Sequence, residues 1–326
     1  MFSSILKRIL PAFLLSPLFI FQVDVLAADT QNVVANHVDD ICARLQSGES
    51  PESLFSISLE NLPDNEVHAK LLDPVKRIPN GNREKLGSYI GTLAFARAVA
   101  PFFKIAHTAT AYRDESKFIP GILSTKILQQ NRSSKGEEII LLEREREIPL
   151  ALRAILRGAS RYLLKNKVTL KEDSWLLVRT QVSVSENQGK GFLKTLEAFE
   201  YYKKLPDGKT MILMAGMALP AASFLSKKAS VSEKVPKPLS KATFGVLNKV
   251  VSAMDVRDRL HFELSKAAVE GLYQEAVSLI QVTTDPRWSS RWVYQLTGED
   301  SKEILDGNKS ILEKAKKNHW IDYEFS

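Results

Sequence analysis

The sequence predicts an α+β fold in which an antiparallel sheet packs on a long helix near its C-terminal end. Three observations lead there. Phe192–Lys204 alternates apolar positions, with Phe199 and Tyr201 on one face, and ends in Leu-Pro-Asp-Gly at 205–208. Proline presets φ and glycine tolerates positive φ, so this is a tight turn, and the apolar run Thr210–Leu219 completes a β-hairpin. Downstream, Lys241–Met254 places Phe244, Leu247, Val251 and Met254 at helical spacing. A long amphipathic helix must bury that stripe, and the hairpin is the nearest surface.

The 326-residue chain is long enough for one large domain or two, and 44% hydrophobic with 25% charged residues excludes global disorder. A net charge of +7 suits a soluble basic surface. At the N-terminus, Lys7 and Arg8 precede a nearly uncharged Ile9–Gln22 and then Val25-Leu26-Ala27 before Ala28-Asp29. That order resembles a cleaved secretory signal over 1–27, with an apolar core short of the ~20 residues of a bilayer span. Export is therefore expected, to a periplasm if the source is bacterial and otherwise by secretion. In a eukaryotic route Asn131-Arg132-Ser133 and Asn308-Lys309-Ser310 would be glycosylation acceptors. Cys42 is the only cysteine, so no internal disulfide is possible.

Residues 28–86 are expected to form a helical extension. Val33, Val34, His37, Val38, Ile41 and Leu45 fall three and four apart, and Gly48, Pro51, Pro63, Pro74, Pro79 and Gly81 break the rest of the segment into short pieces. Ser88–Ala96 is a strand candidate, and Phe102–Ala111 a helix closed by the Pro120-Gly121 turn. Strand-like runs come next at Leu123–Gln129, Glu137–Glu147, Ser160–Leu170 and Trp175–Val184. Links of hairpin length imply antiparallel pairing rather than βαβ units. The long helix is expected to continue to about Leu279. An aromatic stretch (Trp288, Trp292, Tyr294) and a last helix over Ser301–Lys317 make up a helical C-terminal extension, 264–326.

Three motifs carry a family resemblance. They are Arg97-Ala98-Val99-Ala100-Pro101-Phe102, the run from Tyr112 to Ile122 containing Phe118-Ile119-Pro120-Gly121, and Phe199-Glu200-Tyr201-Tyr202 ahead of Pro206-Asp207-Gly208-Lys209-Thr210. Together they resemble the START-like helix-grip superfamily, which includes START lipid-transfer domains, polyketide cyclases and coenzyme Q-binding proteins. The resemblance covers about residues 87–263. It implies a curved sheet wrapped around the long helix, with an elongated apolar cavity between them. On that basis the cavity would be lined by Phe199, Tyr201, Met211, Leu213 and Met217 from the hairpin and by Phe244, Leu247, Val251 and Met254 from the helix. The same residues would equally fill a solid core.

Chemistry-bearing patterns are sparse. The histidines (His37, His68, His107, His261, His319) are scattered, with no His-Glu-x-x-His pair and no cysteine cluster, so no metal or cofactor is expected. Gly208-Lys209-Thr210 lacks the upstream glycine of a phosphate-binding loop, since position 203 is Lys. Glu143, Glu145, Glu147, Glu197, Arg144, Arg146 and Arg179 read as cross-strand ion pairs on a solvated face. A lysine-rich segment, with Lys227, Lys228, Lys234 and Lys237, could rest on an anionic membrane or be a solvated linker. The function expected is an exported, non-enzymatic carrier of a lipid or other apolar small molecule, with no nucleic acid as partner. The alternatives are a cyclase or hydratase using the same cavity, and a protein-interaction module with a filled core.

Overall fold

The computed structural model describes residues 16–78, 83–133, 136–148, 159–171, 173–182, 193–220 and 253–325. In chain order the helices are α1 (Ser16–Gln46), α2 (Pro51–Phe55), α3 (Pro74–Arg77), α4 (Arg83–Leu86), α5 (Phe102–Ala109), α6 (Ala253–Thr284) and α7 (Gly298–Lys317). The strands are β1 (Val67–Leu72), β2 (Ile90–Ala98), β3 (Ile122–Arg132), β4 (Glu137–Glu147), β5 (Ala159–Lys171), β6 (Trp175–Val182), β7 (Leu193–Lys204), β8 (Thr210–Pro220) and β9 (Ile321–Phe325). The nine strands form one curved, open sheet in the order β3-β4-β5-β6-β7-β8-β2-β1-β9. Every pair is antiparallel except β1 with β9. This is the expected α+β architecture: consecutive hairpins from β3 to β8, then the chain's first strands added beside β8.

Local chemistry sets the joints. The β7–β8 turn closes with Gly208 N–H donating to Leu205 O at 3.0 Å. Gly208 has φ of +80°, a backbone that residues with a Cβ rarely adopt. Gly91 on β2 is needed for a different reason. A Cβ there would meet Leu72 O at 2.6 Å, so glycine lets β1 approach its neighbour.

Between β6 and β2 both faces of the sheet are covered. On the inner face, α6 lays Leu264, Val269, Tyr273 and Ala276 against the sheet, and α5 adds Phe102 and Ile105. On the outer face, the α1 stripe Val38, Ile41, Cys42 and Leu45 covers β6, β7 and β8, with Phe55, Leu59 and Leu62 beside it. The aromatic stretch docks on the core in part. Trp288 is 1% exposed against Phe118, Ile119 and Ile304, whereas Tyr294 is 57% exposed.

The flanks depart from the expectation. The stretch 28–86, expected to be helical, supplies β1, and the C-terminal stretch supplies β9, so both enter the main sheet. Val67, Ala69 and Leu71 alternate with His68 and Lys70, a signal too short to stand out between Pro63 and Pro74. The division at 263/264 falls inside α6. The expected helix start at Lys241 lies outside the described residues. Asn308 is 1% exposed and donates to Ser278 Oγ at 2.8 Å, which ties α7 to α6 and rules it out as a glycosylation acceptor in the folded chain. No described helix is long and apolar enough to cross a membrane.

Candidate functional site

Strand alternation decides what each face presents. On β7, Phe199 and Tyr201 point outward, and on β8 so do Met211 and Leu213. Phe199 stacks on Phe55 with ring centroids 6.1 Å apart, and Tyr201 on Trp175 at 6.2 Å. Met217 also packs outward, with Val34, Leu86 and Tyr89. All five hairpin residues expected in a cavity therefore face α1 and its neighbours, the side away from α6. The reason is the second cover: β8 is apolar on both faces because both are buried, so its composition does not say which face meets α6. Phe244, Leu247 and Val251 lie outside the described residues, as do Lys227, Lys228, Lys234 and Lys237. Met254 is helical in α6, and its side chain is not among those described.

Among the described residues on the α6 side most are apolar (Leu142, Leu164, Val178, Ile212, Met214), with Thr92, Thr180 and Thr210 between them and one charged cluster. The 3₁₀ turn Tyr112–Lys117 turns Tyr112 and Glu115 inward. β4 brings Arg144, β5 brings Asn166, and β7 brings Glu200 and Tyr202, while Glu275 arrives from α6. Antiparallel register sets these close, with Thr125 opposite Arg144 and Val178 opposite Glu200. Arg144 Nη2 lies 2.5 Å from Glu115 Oε1, the two side chains being 11% and 5% exposed. Thr125 Oγ1 donates to the other Glu115 oxygen at 2.7 Å. Tyr202 OH donates to Glu200 Oε2 at 2.5 Å. Arg146 stands 4.0 Å from Glu275.

Charge is unevenly matched in this cluster: three carboxyl groups face two guanidinium groups. Glu200 takes up the imbalance. Burial, then repulsion from Glu275, pushes its carboxyl up to about 8, so it keeps its proton at neutral pH. Burial also pushes Glu115 up, against the pull of Arg144 and Thr125. Burial would lower Arg144, but Glu115, Glu275 and Glu200 together raise it. The Tyr112 hydroxyl is raised by burial and by Glu200. Among the described residues, Tyr112 OH, Arg144 Nε and Asn166 Oδ1 are buried without a hydrogen-bond partner of good geometry, although Tyr112 and Asn166 stand close together. Unpaired buried polar atoms are rare, and each costs about 1–3 kcal/mol.

The sequence reading missed this cluster by placing Arg144 among solvated ion pairs. Its neighbours in that reading divide. Arg179 (7% exposed) bonds Glu197 (2% exposed) at 2.5 Å and Asp39 of α1 at 2.7 Å, a buried clamp on the outer face. Lys126–Glu143 and Arg161–Glu145 do lie on the surface. The signal for the inner cluster was present: Glu200 stands between Ala198 and Tyr202, and Asn166 between Leu164 and Val168, on one parity of their strands. Cys42, buried beside Arg179, has its thiol pushed up to about 12 by burial and is no nucleophile. Two hollows of about 460 Å³ each lie elsewhere, one between α6 and α7 and one beside α5.

No family model matches this chain, and no curated protein matches it in sequence. Among solved structures it is similar to a STAR-related lipid transfer protein from Xanthomonas axonopodis, at 11% identity and TM-score 0.32 over 44% of this chain and 78% of that one. It is similar to the Zhui aromatase/cyclase from Streptomyces sp. R1128, at 7% identity and TM-score 0.36 over 61% and 98%. It is also similar to the human StarD13 lipid transfer and protein localization domain, at 9% identity and TM-score 0.39 over 76% and 97%.

Proposed function

We propose that this chain binds an apolar small molecule bearing one polar group, lipid or otherwise, on the inner face of its sheet beneath α6. The observation that carries the reading is a buried charged cluster on the mostly apolar inner face of the described residues, where Tyr112 OH, Arg144 Nε and Asn166 Oδ1 lack a protein partner of good geometry. A ligand hydroxyl, carbonyl or carboxylate placed there would satisfy them. Its apolar remainder would gain roughly 25 cal/mol per Å² of surface removed from water. Binding of this kind needs no covalent step, and the carrier reading is the one we favour. Export belongs to the same proposal, supported by the Lys7–Ala27 pattern.

The test is organic extraction of the purified chain followed by mass spectrometry, with displacement of a fluorescent fatty-acid probe as the solution assay. An apolar molecule should be recovered in near-stoichiometric amount. Exchanging Arg144 for Met together with Glu115 for Gln should weaken its retention at least tenfold. A chain that yields and binds no apolar molecule overturns the reading. One observation favours a second reading: Glu200, protonated at neutral pH beside the Tyr202 hydroxyl, has the form of a general acid in a cyclase- or hydratase-type enzyme. A turnover abolished by Glu200→Gln with binding retained would favour that enzyme over the carrier.

A further inference from the structure

We propose that the patch formed by Val99, Phe103, Trp292 and Tyr294, with Lys104 at its rim, docks on the interfacial layer of an anionic membrane. The patch joins two segments. The first is the start of α5, whose inner residues Phe102 and Ile105 belong to the core while Phe103 on the outer side is 60% exposed. The second is the loop between α6 and α7, where Tyr294 is 57% exposed; Val99, just before α5, is 48% exposed. Phe103 and Trp292 stand 6.4 Å apart between ring centroids, and His107 stacks on Trp292 at 4.3 Å. Lys117 Nζ donates to Tyr294 O at 3.0 Å and holds the loop against the turn after α5. Between the two segments runs a hollow of about 460 Å³. Core packing thus fixes both segments from behind and leaves their aromatic side uncovered.

The surrounding charge identifies the occupant. Asp114 is taken up by Lys117 at 2.8 Å, and Asp285 by Arg287 at 2.6 Å. Lys104 lies over the Trp292 ring at 5.6 Å and has no carboxylate partner among the described residues. The free charge at the rim is therefore positive. Tryptophan and tyrosine have an apolar body and a polar tip and prefer the headgroup level of a bilayer, and cations beside them are drawn to anionic lipids. A second copy of the chain fits less well, because a two-fold contact through this patch would bring Lys104 of both copies into one interface without a carboxylate to meet them. The patch works without any molecule beneath α6, so its failure and that of the interior ligand are separate results.

The experiment is co-sedimentation of the full chain with vesicles of phosphatidylcholine mixed with phosphatidylglycerol. The wild-type chain should sediment with them, and less so as salt rises. Phe103→Asp should lower partitioning tenfold or more and Lys104→Glu several-fold, with circular dichroism, melting temperature and probe binding unchanged, since both side chains point away from the core. A wild-type chain that ignores the vesicles overturns the proposal, as does undiminished sedimentation of the Phe103→Asp chain. A wild-type dimer in size-exclusion chromatography that Phe103→Asp converts to monomer would also overturn it, assigning the patch to self-association.

Discussion

At the scale of single residues, Glu200 gives the clearest measurable consequence. Its carboxyl titrates near 8 in the fold and near 4.5 when exposed, because burial and Glu275 both disfavour its ionised form. A carboxyl raised in this way stabilises the fold fully below about pH 4.5, and the contribution is lost as pH rises through 8. Each pH unit between those two values is worth about 1.4 kcal/mol, so the loss amounts to a few kcal/mol. Urea unfolding of the wild-type chain between pH 5 and 9 should show this decline. Glu200→Gln should flatten it by removing the titration while still accepting from Tyr202; parallel curves for the two chains would refute the assignment. Arg144 makes the complementary case. Arg144→Ala would strand Glu115, 5% exposed, without its cation, and should cost roughly 3–5 kcal/mol. Arg144→Met with Glu115→Gln should cost much less, because no charge is left buried. Arg144 was not legible from the sequence, since the charges of Glu143–Glu147 read alike and only their faces separate the surface pairs from the buried ones; Glu200 was marked only by its place between Ala198 and Tyr202.

At the scale of elements, exposure decides which ion pairs fasten α1 to the sheet. Arg179 reaches both Glu197, 2% exposed, and Asp39, 57% exposed. Arg179→Ala leaves Glu197 buried and unpaired, and should cost roughly 3–5 kcal/mol, opening α1 to trypsin at Arg44. Asp39→Asn, at the wetted end of the same clamp, should cost under about 1 kcal/mol. Equal effects in urea unfolding would show that burial is not what sets their weight. The α1 stripe itself was readable from Val34, Val38, Ile41 and Leu45, because a helix covered on one side keeps its 3.6-residue period. The hairpin was readable as a hairpin for the same kind of reason. Its facing was not, because a strand covered on both sides loses the alternation that distinguishes inside from outside. Phe199 and Tyr201 looked like the inner set, and the inner set is Glu200 and Tyr202.

At the scale of the whole molecule, the motifs between Arg97 and Thr210 marked the element order, and the long helix marked what the sheet packs on. The sequence pattern did not show that the flanks complete the same sheet, since β1 and β9 are short and meet in parallel across the full length of the chain. This bears on which part folds alone. A chain trimmed to 87–263 keeps β2 to β8 but cuts α6 inside Ala253–Thr284, losing Leu264, Val269, Tyr273 and Ala276 from the inner face and β1 and β9 from the sheet. Leaving a large apolar side chain uncovered forfeits about 1.5–3 kcal/mol, so a few such losses match the 5–15 kcal/mol that holds a typical domain together. A chain starting at Ala28 loses none of the packed residues named above, because Thr30, Val34, Val38, Ile41 and Leu45 all lie beyond the expected cut. The 28–326 chain should therefore unfold cooperatively, while the 87–263 chain should show neither a cooperative urea transition nor dispersed amide resonances. A cooperative transition from 87–263 would show that the grip stands without its flanks, and would restore the division of the chain that the sequence first suggested.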